Sequence, residues 1–332
     1  MKQARISGPR AAMAALCVSG LLAGLGSWLY LDSREEPDLC RQLLQHERMS
    51  TALGAGHQPD LRCGDLGRAI EHATTGSRHE QRSLPQAQAM KDVLVAVGDV
   101  IEDEPTPLDR PLADSVAKAL AGHARDMYAI LVPGDTEYVR RALPSQGAWE
   151  DSEGAHMSVS HDALIRVLVS LSVSPDAYAT LREAVTHEVA QAFAAAPRTT
   201  SEKKLSPYPS ITAWALGSMD AVAHAARDGM GEDERASWEE KVRTRLSSRA
   251  PATAVPSFEK DPVDHLVASW KRALPPDSSD DLLKVLETQS PEMVRTWTAS
   301  LGTDSTVQAS LADDAADRAW SAQRSTLRDL RG

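Results

Sequence analysis

The stretch Ala11–Leu31, AAMAALCVSGLLAGLGSWLYL, constrains this chain more than any other. It holds no charge, proline or amide, and Arg10 and Asp32 frame it. As a helix rising about 1.5 Å per residue it would reach roughly 31 Å, the thickness of a bilayer's hydrocarbon core. Lys2, Arg5 and Arg10 precede it; Asp32, Glu35, Glu36 and Asp38 follow, with Arg34 alone against them. Positive flanks stay in the cytoplasm. The sequence therefore predicts a cytoplasmic tail over 1–10, a single transmembrane anchor over 11–31, and everything beyond it outside the cell membrane.

A cleavable signal would stop sooner, in a small-x-small cleavage site. Gly24 and Gly26 could serve, but Trp28-Leu29-Tyr30-Leu31 carry the apolar run past them. Trp28 and Tyr30 also sit where interfacial aromatics anchor a spanning helix. A lipoprotein leader needs a small residue before its Cys, and Cys17 follows Leu16 deep in the run. An uncleaved anchor is favoured over both. Gly20 and Gly24 form a G-x-x-x-G that would let two anchors pack into a homo-oligomer, although small residues are dense enough here for chance to give the same spacing.

Beyond the anchor lie roughly 300 residues, enough for one large or two ordinary domains. The chain carries 36 Lys+Arg and 47 Asp+Glu; with three basic residues before the anchor, the outer part has 33 against 47, a net charge of −14. A field of that sign argues against nucleic acid and against a broad grip on anionic lipid or wall polymer. Arg outnumbers Lys 27 to 9 and Ala is abundant, which suggests a GC-rich bacterial genome. Two cysteines remain outside, Cys40 and Cys63. In an oxidising compartment such a pair points to a disulfide, because the two lie too far apart for a metal knuckle and neither has another Cys nearby.

Only two Phe occur, and what recurs is helical spacing broken by Pro and Gly. Asp38–Leu53 and Asp60–Thr74 read as a pair of helices turned at Gly54-Ala55-Gly56, with Leu39, Leu43 and Leu44 facing Leu66, Ala69 and Ile70. This membrane-proximal hairpin, 32–83, ends in the polar Gly76–Ser83. A helical domain over 84–249 follows, with helices expected at Pro85–Ile101, Leu112–Leu131, His156–Ser172, Ile211–Arg227 and Asp233–Leu246. Ser174-Pro175-Asp176 is a helix start, with a capping Ser, Pro at the first position and an acid in the first turn. The helix it opens shows Tyr178, Leu181, Val185, Val189, Ala192 and Ala196 on one stripe. Ala250–Pro262 reads as a linker to C-terminal helices over 263–332, at Val263–Leu274, Ser279–Leu286, Pro291–Leu301 and Ser305–Leu330. The expected fold is all-α: an anchor followed by an extracytoplasmic multi-helix bundle. Trp214, Trp238, Trp270, Trp297 and Trp320 recur about once per predicted helix, at intervals that drift. The drift favours core aromatics over a repeat.

The sequence holds little that resembles a catalytic motif. Thr186-His187-Glu188-Val189-Ala190-Gln191 puts Gln where zinc needs a second imidazole, and His187 lies opposite the apolar stripe, so a solvated face is expected. Ser115-Val116-Ala117-Lys118 matches the S-x-x-K of serine acyltransferases, in which Lys can take the Ser proton. Ser201-Glu202-Lys203-Lys204 matches it again, and no K-T-G or supporting strand follows either. His156 and His161 share no helical face. Asp277–Asp281 is a helix start rather than a calcium loop, and the acidic run Asp99–Glu104 reads as a solvated helix end. No catalytic residue, cofactor or metal is expected.

Five segments in order, Ala121–Tyr128 (AGHARDMY), Met157–Leu164 (MSVSHDAL), Ser174–Leu181 (SPDAYATL), Leu216–Asp220 (LGSMD) and Ala226–Glu239, carry a resemblance. Across Ala113–Arg245 the chain resembles an uncharacterised helical region of large actinobacterial proteins, some associated with secreted polymorphic toxins. The resemblance implies an all-α, surface-linked actinobacterial protein and no catalytic residues. The favoured reading is a membrane-anchored, non-catalytic module that binds or scaffolds another protein. A toxin-system component, effector or protective partner, and an envelope hydrolase or transferase are the alternatives.

Overall fold

The computed structural model describes residues 39–75, 82–101, 106–248, 255–274 and 281–331, and these are predominantly helical. Ala11–Leu31, with its flanks, Cys17, Gly20 and Gly24, lies outside them. Among the described residues no helix is long and apolar enough to cross a membrane.

The first predicted helix is two. Helix α1 (Leu39–Gln45) and helix α2 (Glu47–Leu53) part at His46, whose backbone is extended. Its ring Nδ1 accepts a hydrogen bond from the Arg48 N–H at 3.2 Å, so an imidazole fills the capping role usually taken by Ser or Asp. Gly54, at φ +50°, ends α2, and a 3-10 turn at Gly54–Gly56 leads on towards α3 (Cys63–Thr75). Cys40 and Cys63 are joined by a disulfide, with Cα atoms 5.6 Å apart. Leu43, Leu44, Leu66 and Ile70 are buried between these helices and their neighbours. The hairpin does not stand apart from the rest: α3 also packs on α4 (Leu84–Ile101) and, more extensively, on α5 (Arg110–Ala121).

Leu112–Leu131, expected as one helix, breaks at Gly122-His123 into α5 and α6 (Ala124–Leu131). His123 leaves the helical conformation to turn its ring inward, where Nε2 donates to the Thr74 carbonyl at 3.1 Å. A short α7 (Thr136–Arg141) is capped by Asp135. It leads to a feature absent from an all-α expectation, an antiparallel hairpin of β1 (Trp149–Asp151) and β2 (Gly154–His156), with Trp149 opposite His156. The Asp151 side chain accepts from the Glu153 N–H at 2.7 Å, and Gly154 takes φ +128° to complete the turn. The helix expected from His156 therefore begins later, as α8 (His161–Ser172), under a Ser160 cap.

Helix α9 (Pro175–Ala195) is the centre of the fold. Its predicted stripe is buried, with Ala192 half-buried at its end. The opposite side is largely covered as well, because α9 packs against α5, α6, α8, α11 (Pro207–Ala226), α12 (Glu232–Ser248) and α13 (Pro262–Ala273). Pro175 stands at the start as predicted. Ser174, however, does not cap: its hydroxyl donates to Asp114 Oδ1 at 2.6 Å and so ties α9 to α5. A single turn, α10 (Glu202–Leu205), precedes α11.

Of the predicted linker, 250–254 lie outside the described residues. Phe258 is buried, with the Arg198 guanidinium 5.7 Å from its ring, and Pro262 already opens α13. Next come α14 (Leu282–Glu287) and α15 (Gln289–Ser300), the latter starting just before the Pro291 signal. The chain closes on α16 (Ser305–Asp329). From Cys40 onward the described residues form one compact unit, so the C-terminal helices share the core of the preceding ones. Trp238, Trp270 and Trp297 are core residues as expected, and Trp297 stacks on Phe193 at 4.7 Å. Trp214 is half-buried. Trp320 is not a core residue: it is 55% exposed, with the Arg324 guanidinium 4.5 Å above its ring.

The longest helix–helix seam joins α11 and α16. At its closest point Gly217 faces Ala319 so tightly that a Cβ on Gly217 would lie 2.1 Å from the Ala319 carbonyl oxygen. Backbone cannot yield as a flexible side chain can. Gly217→Ala is expected to cost about 1–3 kcal/mol through overpacking, read as a lower urea midpoint at unchanged m-value; an unchanged midpoint would mean the seam is looser than its geometry.

Candidate functional site

Apart from Cys40 and Cys63, the residues singled out in the sequence are not brought together. His187 and Gln191 are exposed on α9, as expected for a solvated face, while Glu188 beside them is half-buried. Ser115 is buried because it lies under α3: a Cβ on Gly67 would come within 2.8 Å of the Ser115 Cβ. It serves as a small residue at a helix crossing. Lys118 is exposed, and so are Ser201 and Lys204. His161 lies on α8 beside Asp162, apart from the buried His156. Asp281 caps α14 by accepting from the Leu283 N–H at 3.0 Å, as a helix-start residue should; 277–280 lie outside the described residues. Asp99 pairs with His46 Nε2 at 3.3 Å, and 102–104 also lie outside.

The structure assembles a site that the sequence reading missed, around Asp126. This residue sits in the first turn of α6, one turn after His123, and is 2% exposed. Its Oδ1 accepts from the Tyr138 hydroxyl at 2.6 Å and from His156 Nδ1 at 2.8 Å. Its Oδ2 lies 3.4 Å from the Met157 backbone nitrogen and 3.6 Å from His123 Nδ1. The other ring nitrogen of His156, Nε2, lies 3.1 Å from Asp151 Oδ1. Several elements thus meet at one carboxylate: α6, α7, the β-hairpin and the turn holding His123. Trp149 closes the outer side, with its ring 4.9 Å from Tyr138 and 5.5 Å from His156.

The electrostatics follow from this packing. Burial pushes the Asp126 carboxyl up, but the His123 and His156 rings and the Tyr138 hydroxyl outweigh it and hold it at about 2. The hydrogen bond to Asp126 raises His156 above the ordinary histidine value against the effect of burial, and Asp151 adds to it. Burial, then the Asp126 charge, drives the Tyr138 hydroxyl well above its usual range. Both His156 nitrogens face carboxylate oxygens, and only the imidazolium can donate to both. The arrangement can hold a proton and clamp the hairpin.

Two further polar sets are buried. Arg182 on α9 is completely buried and pairs with Asp220 on α11 at 2.5 Å. Burial works against the guanidinium's charge, and Asp220 more than offsets it. Lys91 on α4 donates to the Arg141 and Leu143 carbonyls at 2.7 and 3.0 Å, while its neighbour Asp92 pairs with Arg48 at 2.7 Å. Burial, with Arg48 nearby, lowers Lys91 to about 8. Among the described residues no group of three or more His, Cys, Asp or Glu is placed to hold a metal ion.

A signal for the Asp126 site does exist in the sequence. His123 and Asp126 are spaced i, i+3, which on a continuous helix would put them on one face, and both fall in the AGHARDMY segment. Tyr138 and His156 carry no such local signature; the hairpin turn alone brings them in. No known protein family, curated protein or solved structure matches this chain.

Proposed function

We propose that this chain is a single-pass envelope protein whose helical part lies outside the cell membrane and binds or scaffolds another protein without catalysing a reaction. The Cys40–Cys63 disulfide carries the reading. It stands shortly beyond an apolar run of membrane-spanning length, and disulfides persist in oxidising compartments. It thereby supports the same orientation as the charge asymmetry around Ala11–Leu31. The use of the buried charges supports the non-catalytic part. Arg182, Asp220, Lys91, Asp92 and Asp126 each bond to another segment of the chain, which is how a rigid presenting surface is built. The acidic outer surface and the resemblance to secreted, toxin-associated helical regions favour a partner at the cell surface.

The test uses Ala236→Cys, an exposed position on α12. In intact cells making the full-length chain, a membrane-impermeant thiol reagent should label the variant and leave wild type unlabelled. Labelling that appears only after lysis would overturn the placement. Photocrosslinking from the same position, in cells, should then yield a discrete adduct with one protein of stoichiometric amount; turnover of a wall polymer or peptide by the purified chain would replace the binding reading with the enzyme.

A further inference from the structure

Helix α16 packs on α11 and α15 with one side and leaves the other to solvent. Charge is ordered along that exposed face. Asp313 and Asp317 stand before Trp320, and Arg324 and Arg328 stand after it. At 3.6 residues per turn these five side chains fall within roughly 80° of one another, and all five are exposed. Asp314, also exposed, extends the acidic half. Arg318 and Asp329 break the order, but they lie about 120–140° round the helix from Arg324.

Among the described residues none of the four charges on this face enters an ion pair. Arg328 Nη2 donates to the Ser325 hydroxyl at 3.3 Å, and the Arg324 guanidinium lies 4.5 Å from the Trp320 ring centre. Trp320 itself is 55% exposed, whereas Trp238, Trp270 and Trp297 are buried. Ala316 and Leu327, both half-buried, lie within about 40° of Trp320 and widen its apolar surface. Tryptophan and arginine are the residues that most often carry the binding energy of an interface.

The order of the charges selects one partner. Asp317 and Arg324 are equally far from the midpoint between Trp320 and Ser321, and so are Asp313 and Arg328. A second copy of α16, laid antiparallel about a two-fold axis through that midpoint, sets each of these acids opposite an arginine. A two-fold interface repeats every pair, so four Asp–Arg pairs would flank two central indoles. Packed helices lie about 8–10 Å apart, within the reach of an arginine side chain. A parallel pairing in register would oppose like charges. The chain's net charge of −11 works against self-association in general, and this local match offsets it.

We propose that α16 is a self-association face, through which two copies of the chain pair antiparallel about a two-fold axis beside Trp320. The proposal goes beyond the reading of a different protein as partner and does not rest on it.

The experiment is sedimentation equilibrium of the full-length chain in detergent, with two charge-reversal variants. Wild type should dimerise with a dissociation constant on the order of 10 µM, as suits a small and largely polar interface. Asp313→Arg/Asp317→Arg makes the face wholly basic, and Arg324→Asp/Arg328→Asp makes it acidic. Each variant alone should dimerise at least tenfold more weakly, with an unfolding temperature within about two degrees of wild type, as expected at exposed positions. An equimolar mixture of the two should recover a dimer that contains one of each. Recovery in the mixture also shows that neither variant failed through misfolding. Wild type that stays monomeric at about 100 µM, well above that dissociation constant, would overturn the proposal. Variants that dimerise as wild type does would overturn it too, by placing the contact on the anchor or another face, and so would a mixture that stays monomeric.

Discussion

Arg182→Met is expected to destabilise the fold by about 3–5 kcal/mol, the range found when one partner of a buried ion pair is removed. The guanidinium spans three elements. Nε donates to Gln289 Oε1 at 2.7 Å; Nη1 donates to Asp220 Oδ1 at 2.5 Å and to the Leu216 carbonyl at 3.2 Å; Nη2 donates to the Leu286 carbonyl at 3.1 Å. Gln289 passes the network back to α9 by donating to Thr186 Oγ1 at 2.7 Å. Methionine would fill much of the volume but leave Asp220, 3% exposed, as a buried charge without its partner. Lysine would not rescue the site, because one ammonium on a flexible stem cannot reach partners arranged around a planar fork. The double variant Arg182→Met/Asp220→Leu should recover most of the loss, since replacing both charges with apolar groups of similar size is often neutral. Urea unfolding of wild type, both single variants and the double variant forms a cycle whose coupling should exceed about 2 kcal/mol. Additive losses would show that the pair does not act as a clamp.

The helices were legible where their signals are local. Pro175, Asp281 and the apolar stripe of α9 announce themselves within a turn or two, and the disulfide follows from two cysteines beyond an apolar run. What could not be read was where polar side chains would be drawn inward. Arg182 lies one residue after Leu181 on the stripe, and nothing within its own turn indicates that Asp220 and Gln289, far along the chain, will close around it. His46 and His123 break helices that periodicity would continue: the His46 ring caps the next helix through the Arg48 N–H, and the His123 ring turns away to the Thr74 carbonyl. The β-hairpin is too short to show alternation, yet it delivers His156 and Asp151 to the Asp126 site. Ser115 lies deeper than its motif suggests for a related reason, since its burial depends on Gly67 at the crossing helix. Apart from the local His46 cap, long-range pairing decided these, and a window of one or two turns does not contain it.

Asp126→Ala is expected to cost about 3–5 kcal/mol, because it withdraws the acceptor shared by Tyr138 and His156 and leaves the buried imidazole only the half-exposed Asp151 as counter-charge. Its pH dependence gives the sharper test. Asp126 is held at about 2, below the ordinary aspartate value near 3.9. Its contribution is therefore fully present above about pH 4 and is lost as pH falls towards 2. His156 is shifted the other way, above the ordinary value near 6.5. Its contribution is present below that value and is lost as pH rises through its folded pKa. The two together predict a stability maximum on the acid side of neutrality, falling away as pH rises through the titration of His156. Above that titration one ring nitrogen turns a lone pair towards a carboxylate, and Asp151, 48% exposed, is the partner free to swing away. The β-hairpin, which its backbone ladder and this clamp hold to α6, should then exchange its amide hydrogens faster while the core of α9 stays protected. In Asp126→Asn the raised His156 pKa should fall back towards 6.5 by NMR titration, and the loss of stability with rising pH should shrink with it. A His156 titration that Asp126→Asn leaves unmoved would mean that the carboxylate neither charges the ring nor holds the hairpin through it.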